Sequence, residues 1–457
     1  MQSTASAADS NYQRDLGEGL LLRWSTRADT ANIAELVGRV FRNSENDAPN
    51  AYLQSSVELL MSGNHPLMGP GDYGVVEDTT KANHPIVACT CLWQHQWSYE
   101  NVLFNVGRPE IVASDPTYRK RGLIRALFHM VHARSEARGD LVQAITGIPY
   151  FYRQFGYEYV LDLGGRRVTY LSAIPPLKQA EQEPYTLREA SVEDVPLIMR
   201  YEDQRRASSM LWAHASEQYW RYEIRDGWQE NPERYRKAVV LLIVDAQGEP
   251  VGFVIHDSQR RGTGLGVWGV EVDERINLQA IMPSVLRALQ QRGIQVPTPK
   301  PDTLPLSEIS FMLGRNHPVY TILGEELAPY QEPPYAWYIR VPDLPAFLKL
   351  IAPVLEDRVK KSPIAGYTGE VKLDFYNGGL RIIFEHGQFK AAENWQVPIY
   401  DANAGAGFPA LVFLKALLGY RSLDELRYAY PDVWANTETA VVLQTLFPAR
   451  PSFVTPF

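Results

Sequence analysis

Cysteine is scarce: Cys89 and Cys91 are the two thiols, both inside one apolar run, Ile86-Val-Ala-Cys-Thr-Cys-Leu92. On a strand they point to the same face, buried and reduced, and two thiolates are too few for a structural zinc site. The nine histidines show no His-x-x-x-His spacing, so no metal is expected. There is no Gly-x-Ser-x-Gly elbow and no P-loop lysine. No apolar run reaches membrane-spanning length, so a soluble chain without a membrane role is expected. Residues 1–19 are small and polar and lack the apolar core of a signal peptide, which gives the expectation of a disordered arm and a cytoplasmic protein. Positive charge is also short. The net charge of −8 argues against a nucleic-acid partner and suits a cationic substrate.

What is present is enough for several cores. The chain has 457 residues, 45% of them hydrophobic and 21% charged, which points to about two to four domains. Leu20-Leu-Leu-Arg-Trp24 reads as a strand, followed by a helix with Ile33, Leu36, Val37, Val40 and Phe41 on one stripe and Asp29 placed to cap it. A helix over 52–61 and strands over 73–76, 86–93, 102–106 and 141–146 follow, and then a short aromatic helix stopped by Gly156. This is mixed α/β with helices on both faces of one sheet. Pro175-Pro176 and a polar run to Pro184 mark a linker. Leu22-Arg23, Asp29 and Ile33 then return as Leu187-Arg188, Asp194 and Ile198 at a constant offset of 165 residues, so a second, similar unit begins near Tyr185. Pro329 and Pro333-Pro334 close it. The third segment, with one helix over 344–355, strands over 369–375, 380–384 and 388–392, and two later helices, fits a small α+β domain. Its apolar, proline-rich end, Leu446-Phe-Pro-Ala-Arg-Pro-Ser-Phe-Val-Thr-Pro-Phe457, fits a docked tail.

The most informative stretch is Ile111-Val-Ala-Ser-Asp-Pro-Thr-Tyr-Arg-Lys-Arg-Gly-Leu-Ile-Arg-Ala-Leu127. It reads as a strand, a turn at Asp115-Pro116, a cationic loop, and a helix from about Gly122 to Arg138. A helix start has free N–H groups and a partial positive charge, and Arg119, Lys120 and Arg121 add full ones, so a phosphate group fits there. The short pattern alone is not decisive. Gln259-Arg-Arg-Gly-Thr-Gly264 matches it too, but lies between two strands with no helix after it and reads as a hairpin loop. Where the second unit's own helix begins, Val272-Asp-Glu-Arg-Ile-Asn-Leu278 has two carboxylates and no glycine, which repels phosphate.

Arg119-Lys-Arg-Gly-Leu-Ile124, with Pro116 and Tyr118 ahead of it, resembles the coenzyme A pyrophosphate loop of the GNAT acetyltransferase superfamily. Ile124 departs from the small residue usual at the last position. With two such units and an α+β third segment, nearly the whole chain from Leu20 resembles the enhanced intracellular survival (Eis) family, in which a larger apolar residue at the Ile124 position is common. The resemblance implies two GNAT (acyl-CoA N-acyltransferase) folds in tandem, α/β, with a sterol-carrier-protein-like α+β domain. The boundaries are 20–175 for the catalytic domain, 185–330 for a degenerate copy that has lost coenzyme binding, and 335–457 for the sterol-carrier-like domain. It further implies acetyl-CoA as co-substrate, held by Arg119, Lys120, Arg121, Gly122, Leu123 and Ile124 and by backbone groups of Val112, Ala113 and Ser114. Tyr152, just before Phe155-Gly156, matches the acid that protonates the leaving thiolate, with Tyr150 in reserve. The α-carboxylate of Phe457 matches the family's base. The implied reaction is direct acetyl transfer to a primary amine of a polyamine-like or aminoglycoside-like molecule or of lysine, by a homo-oligomer, often a hexamer. The competing class is a non-catalytic acyl-CoA or lipid-binding protein.

Overall fold

The computed structural model describes residues 5–226, 238–260, 262–298, 304–396, 404–450 and 452–455. In chain order its first elements are β1 (Gln13–Asp15), β2 (Leu20–Trp24), α1 (Thr30–Val40), α2 (Ala51–Leu60), β3 (Tyr73–Asp78), β4 (Ile86–Tyr99), β5 (Val102–Ser114), α3 (Leu123–Ala137), β6 (Val142–Ile145) and β7 (Glu158–Leu163). Strand alternation divides the apolar residues between two faces. Tyr73, Val75, Cys89 and Cys91 meet Ile33, Leu36 and Val37 of α1, while Leu22, Trp24, Val76 and Ala88 meet Leu127, Met130 and Val131 of α3. Each such buried aliphatic side chain contributes about 1.5–3 kcal/mol. Both cysteines are free, and burial pushes the Cys89 thiol up to about 12, so it stays protonated and unreactive.

Three expectations for this part need correction. Residues 5–19 are not a disordered arm: β1 pairs with β2, Trp24 Nε1–H donates to the Ala7 carbonyl, and Arg134 Nε–H donates to that of Ala8. The strands expected over 102–106 and from Ile111 are one strand, β5, because the extended backbone continues through Arg108-Pro109. Asp29 does not cap α1. Its carboxylate turns back to the Thr26 amide and to the Arg23 guanidinium, at 2.7 Å from each. Asp194 does the same with Ser191 and Arg188, so the repeated Arg and Asp build one device twice.

The chain continues with β8 (Arg166–Tyr170), β9 (Tyr185–Glu189), α4 (Val195–Arg206), β10 (Leu211–His214), α5 (Glu217–Arg221), β11 (Ala238–Asp245), β12 (Pro250–Asp257), β13 (Gly264–Val272), α6 (Leu278–Gln295), β14 (Glu308–Phe311), α7 (Pro318–Leu327), β15 (Tyr330–Glu332) and β16 (Tyr335–Arg340). After these come α8 (Leu344–Leu350), α9 (Ala352–Lys360), β17 (Gly369–Asp374), β18 (Gly379–Glu385), β19 (Gln388–Asn394), β20 (Ala406–Gly407), α10 (Phe413–Leu417), α11 (Leu423–Ala429), β21 (Trp434–Ala435) and α12 (Thr437–Leu446). The helix expected over 344–355 is two, divided at Ile351 just ahead of Pro353, a residue that suits a helix's first turn best.

The described residues fall into two compact units whose bounds do not follow the linear domains expected. The first takes residues up to Leu161, Met210–His214 and Trp337–Ser452; the second takes Asp162–Ser209, residues from Ala215 to Ala336, and the tail from Phe453. The first unit's main sheet runs β1-β2-β3-β4-β5-β6-β16-β7, with β10 on β4, and it also holds a sheet β19-β18-β17-β20-β21. The second unit's sheet runs β15-β8-β14-β13-β12-β11-β9. The two long sheets share one order, with an exchange. The strand after β7 in the chain, β8, lies in the second sheet, and the strand after β15, β16, lies in the first.

In the second unit the β12–β13 pairing shows Gln259–Gly264 to be a hairpin connection, with Arg261 outside the described residues. The tail is docked there: Phe453 bridges to Asp162 and Val454 is buried. Phe453 lies so close to Gly314 (φ 84°) that an added Cβ would meet its ring at 2.7 Å.

Candidate active site

The site grows from the way β5 is held. On one side it pairs with β4 along its length. On the other, its described parallel pairing with β6 is limited to Val106–Val142 and Gly107–Gln143. From Arg108 to Ser114 no further pairing of β5 with β6 is described. Between the Cys89–Ala113 and Cys91–Glu110 pairs β5 carries one extra residue, and Ile111 takes φ 52°. This bulge re-aims the backbone of Val112 to Ser114 beyond the described pairing with β6.

The strand then meets α3. Asp115 accepts from the Thr117 amide at 2.9 Å and closes the turn over Pro116–Tyr118. Tyr118 is buried and donates to Asp78 at 2.5 Å. Lys120 (φ 66°) and Gly122 (φ 77°) put the chain in the left-handed region, and Gly122 is the N-cap of α3 with no side chain over the first amides. Arg119, Lys120, Arg121 and Gly122 are all exposed. A helix start left uncapped beside three cations suits an anion.

The other expected residues separate by role. Leu123 is core, packed with Leu22, Tyr118 and Leu127, so its side chain faces no ligand. Val112 and Ile124 pack on one cluster with Phe128, Ile145, Tyr152, Tyr157 and Tyr338. The structure therefore brings Val112, Ile124 and Tyr152 together, and the size of Ile124 is explained by that packing. Tyr150 is 69% exposed whereas Tyr152 is 3% exposed. Burial, and then the charge of Glu110, push the Tyr152 phenol well above its ordinary value of 10, so it is protonated at neutral pH. Phe457 lies outside the described residues.

Glu110 and Trp337, which both contact Arg108, carry little signal in the sequence. Glu110 directly precedes the bulge and accepts from Arg108 Nε–H at 2.8 Å and from Thr146 Oγ at 3.4 Å. The Arg108 guanidinium lies between two indoles, 4.9 Å from the Trp93 ring centre and 4.6 Å from that of Trp337. A carboxylate two residues after an arginine, ahead of the apolar Ile111-Val-Ala113, was the available signal for Glu110. Nothing local announces Trp337.

The second unit offers a contrast. There β13 pairs regularly with β12 from Val272 back to Gly269, and its irregularity falls later, between Ile255 and His256. At the start of α6 the Asn277 side chain caps the Gln279 amide, and Asp273 is bonded to Arg275 at 2.7 Å. That bond holds the Asp273 carboxyl far below the usual range. The Tyr320 hydroxyl, between the Phe311 carbonyl and the Leu313 amide, occupies the end of β14.

Residues 22–160 match the family model described as an acetyltransferase (GNAT) domain. Residues 22–160 are thus a GNAT acetyltransferase domain. No curated protein matches the chain. Among solved structures, the chain is similar to a conserved Enterococcus faecalis protein of unknown function described as a probable N-acyltransferase, at 16% identity and a TM-score of 0.67 over 96% of this chain and 99% of that one. It is similar to a GCN5-related N-acetyltransferase from Kribbella flavida at 17% identity and a TM-score of 0.63, over 95% and 97%. It is also similar to Eis1 from Mycobacterium abscessus at 15% identity and a TM-score of 0.58, over 95% and 99%. At such identities the likeness is one of fold, and it runs through almost the whole of each chain.

Proposed function

We propose that the chain transfers acetyl from acetyl-CoA directly to a primary amine of a small molecule, in a ternary complex with no covalent enzyme intermediate. The observation that carries this reading is the succession of strand, bulge and uncapped cationic helix start, with a buried tyrosine against the same cluster as the bulge. The pyrophosphate sits on Arg119, Lys120, Arg121 and the first amides of α3. Backbone groups of Val112, Ala113 and Ser114 meet the pantetheine arm and the thioester carbonyl, and their N–H groups stabilise the oxyanion as the amine attacks. A primary amine has a pKa near that of lysine, about 10.4, so a base must take its proton. Collapse of the tetrahedral species then breaks the carbon–sulfur bond, and the thiolate departs toward the Tyr152 hydroxyl.

The base is a carboxylate. On the resemblance it is the α-carboxylate of Phe457, whose ordinary pKa of about 3.5 would have to rise by burial; on the geometry Glu110 is the second candidate. Polyamine-like, aminoglycoside-like and lysine amines are the first substrates to try, on the same resemblance and the net charge of −8. The reading extends to a coenzyme-free second unit, a sterol-carrier-like segment over 335–457, and a homo-oligomer. Thiol release from acetyl-CoA across an amine panel tests it. Acetyl-CoA binding without release for any amine, in folded protein, would instead give a non-catalytic acyl-CoA-binding protein.

A further inference from the structure

The gap between β6 and β7 is filled by β16, which reaches the first unit from far downstream in the chain. Consecutive residues of this strand face opposite sides of the sheet, and both are fully buried. Trp337 covers the Arg108 guanidinium on one side and meets Trp97 edge-on, so the register of β16 is locked: a slip of one residue would turn both rings to the wrong face. Tyr338 faces the other side, 5.4 Å from the Tyr152 ring and stacked at 4.1 Å on Tyr159.

The hydroxyls there form an ordered chain. Each phenol has one proton to give, so the three contacts are satisfied in one direction. The Tyr150 amide donates to Tyr159 at 3.0 Å, Tyr159 donates to Tyr338 at 2.5 Å, and Tyr338 donates to the Ile148 carbonyl at 2.9 Å. Both ends of this chain grip the short loop that leads into Tyr152. That loop is conformationally unfavourable by itself: Tyr150 has φ 58°, a region that side chains larger than glycine rarely adopt. A strained turn persists where its surroundings over-determine it.

We propose that Tyr338 is a positioning residue for acetyl transfer: through the Tyr159 and Ile148 bonds it sets the 147–150 loop and with it the Tyr152 hydroxyl. The inference rests on the reading of Tyr152 as the group that meets the leaving thiolate. It also makes β16 part of the site.

The test is a double-mutant cycle in the full chain, with kcat and KM for acetyl-CoA measured at saturating amine. Tyr338→Phe keeps the ring and removes the hydroxyl, and is expected to lower kcat about tenfold, because small misplacements of a reacting group are costly. KM for acetyl-CoA should change less than about twofold, since the phosphate-binding loop is untouched. Combined with Tyr152→Phe, Tyr338→Phe should cost nothing further, because a residue that acts only through Tyr152 has nothing left to position. Unchanged kcat in Tyr338→Phe, or losses that multiply in the double variant, would overturn the proposal while leaving the acid reading intact. Full kcat in Tyr152→Phe would overturn both. Should Tyr338→Phe not fold, Tyr159→Phe breaks the same chain one link away, with the same outcomes expected.

Discussion

Replacing Tyr152 by phenylalanine isolates the chemistry of one hydroxyl, because the ring contacts with Phe128, Tyr157 and Tyr338 are retained. A well-placed general acid is worth about 10²–10⁴-fold. Here the burial of the phenol pushes its pKa above 10, while a thiol has a pKa of about 8.5. Full proton transfer to the thiolate is therefore uphill by more than about 1.5 units, and the contribution is chiefly a hydrogen bond to the departing sulfur. That places the effect at the low end, about 10²-fold in kcat or roughly 2.7 kcal/mol. Steady-state thiol release should show this loss with KM for acetyl-CoA little changed, and the melting temperature should stay within about 3 °C. The parent enzyme should show no alkaline fall in kcat assignable to this group below about pH 10, since the shift is upward. A kcat within about threefold of the parent would refute the reasoning, and a melting temperature that fell with kcat would replace catalysis by folding as the cause.

Other outcomes follow from the same geometry. Arg119→Ala should raise KM for acetyl-CoA about tenfold and leave kcat unchanged, as loss of a charge-assisted bond to phosphate would, and high salt should shrink the difference in a KM series. The two carboxylates can be separated: residues appended after Phe457 should abolish turnover if the tail is the base, whereas Glu110→Gln should do so if Glu110 is, and pH–rate profiles of both variants decide between them. In the second unit, Glu202 accepts from Trp220 Nε1–H at 3.0 Å, and desolvation, against that bond and helped by Glu271 and Asp203, pushes its carboxyl up to about 8. Its folded pKa thus exceeds its unfolded one, so the stability it contributes is complete below about pH 4.5 and is lost as pH rises toward 8. Thermal melts at pH 5 and pH 8 should differ less in Glu202→Gln than in the parent, and an unaltered difference would remove Glu202 as the cause.

The parts of the fold legible in the sequence were those fixed by local chemistry. The apolar spacing of Leu123, Leu127, Met130 and Val131 announced α3 within a residue or two of its bounds, and Gly122 and Gly156 marked turns that only a positive φ explains. The repeat of Leu22-Arg23 and Leu187-Arg188 was visible because each Arg meets an Asp six residues on, a contact within reach of one turn of chain. What stayed hidden depends on partners distant in sequence. The β5 bulge is a mismatch of register between two strands and leaves no composition of its own. Glu110 was passed over because its partner Arg108 matters only once the strand is drawn. Trp337 and Tyr338 sat in a plain strand pattern, Tyr335-Ala-Trp-Tyr-Ile-Arg340, whose place in the first sheet no local signal gives. The arm at residues 5–19 was misjudged because its polar composition conceals Tyr12 and Leu16, which pack on the α3 face.

The exchange of β8 and β16 sets a timetable for synthesis. Tyr338 bonds Ile148 across 190 residues of chain, so at about 5–20 residues per second the edges of β6 and β7 wait roughly 10–40 s on the ribosome before their shared neighbour emerges. Throughout that interval two strands offer unpaired backbone groups to any other nascent chain. A fragment ending at Pro175 never leaves that interval: it carries residues 119–122 and Tyr152, yet keeps both edges bare and is expected to aggregate or to borrow a strand from a second copy of itself.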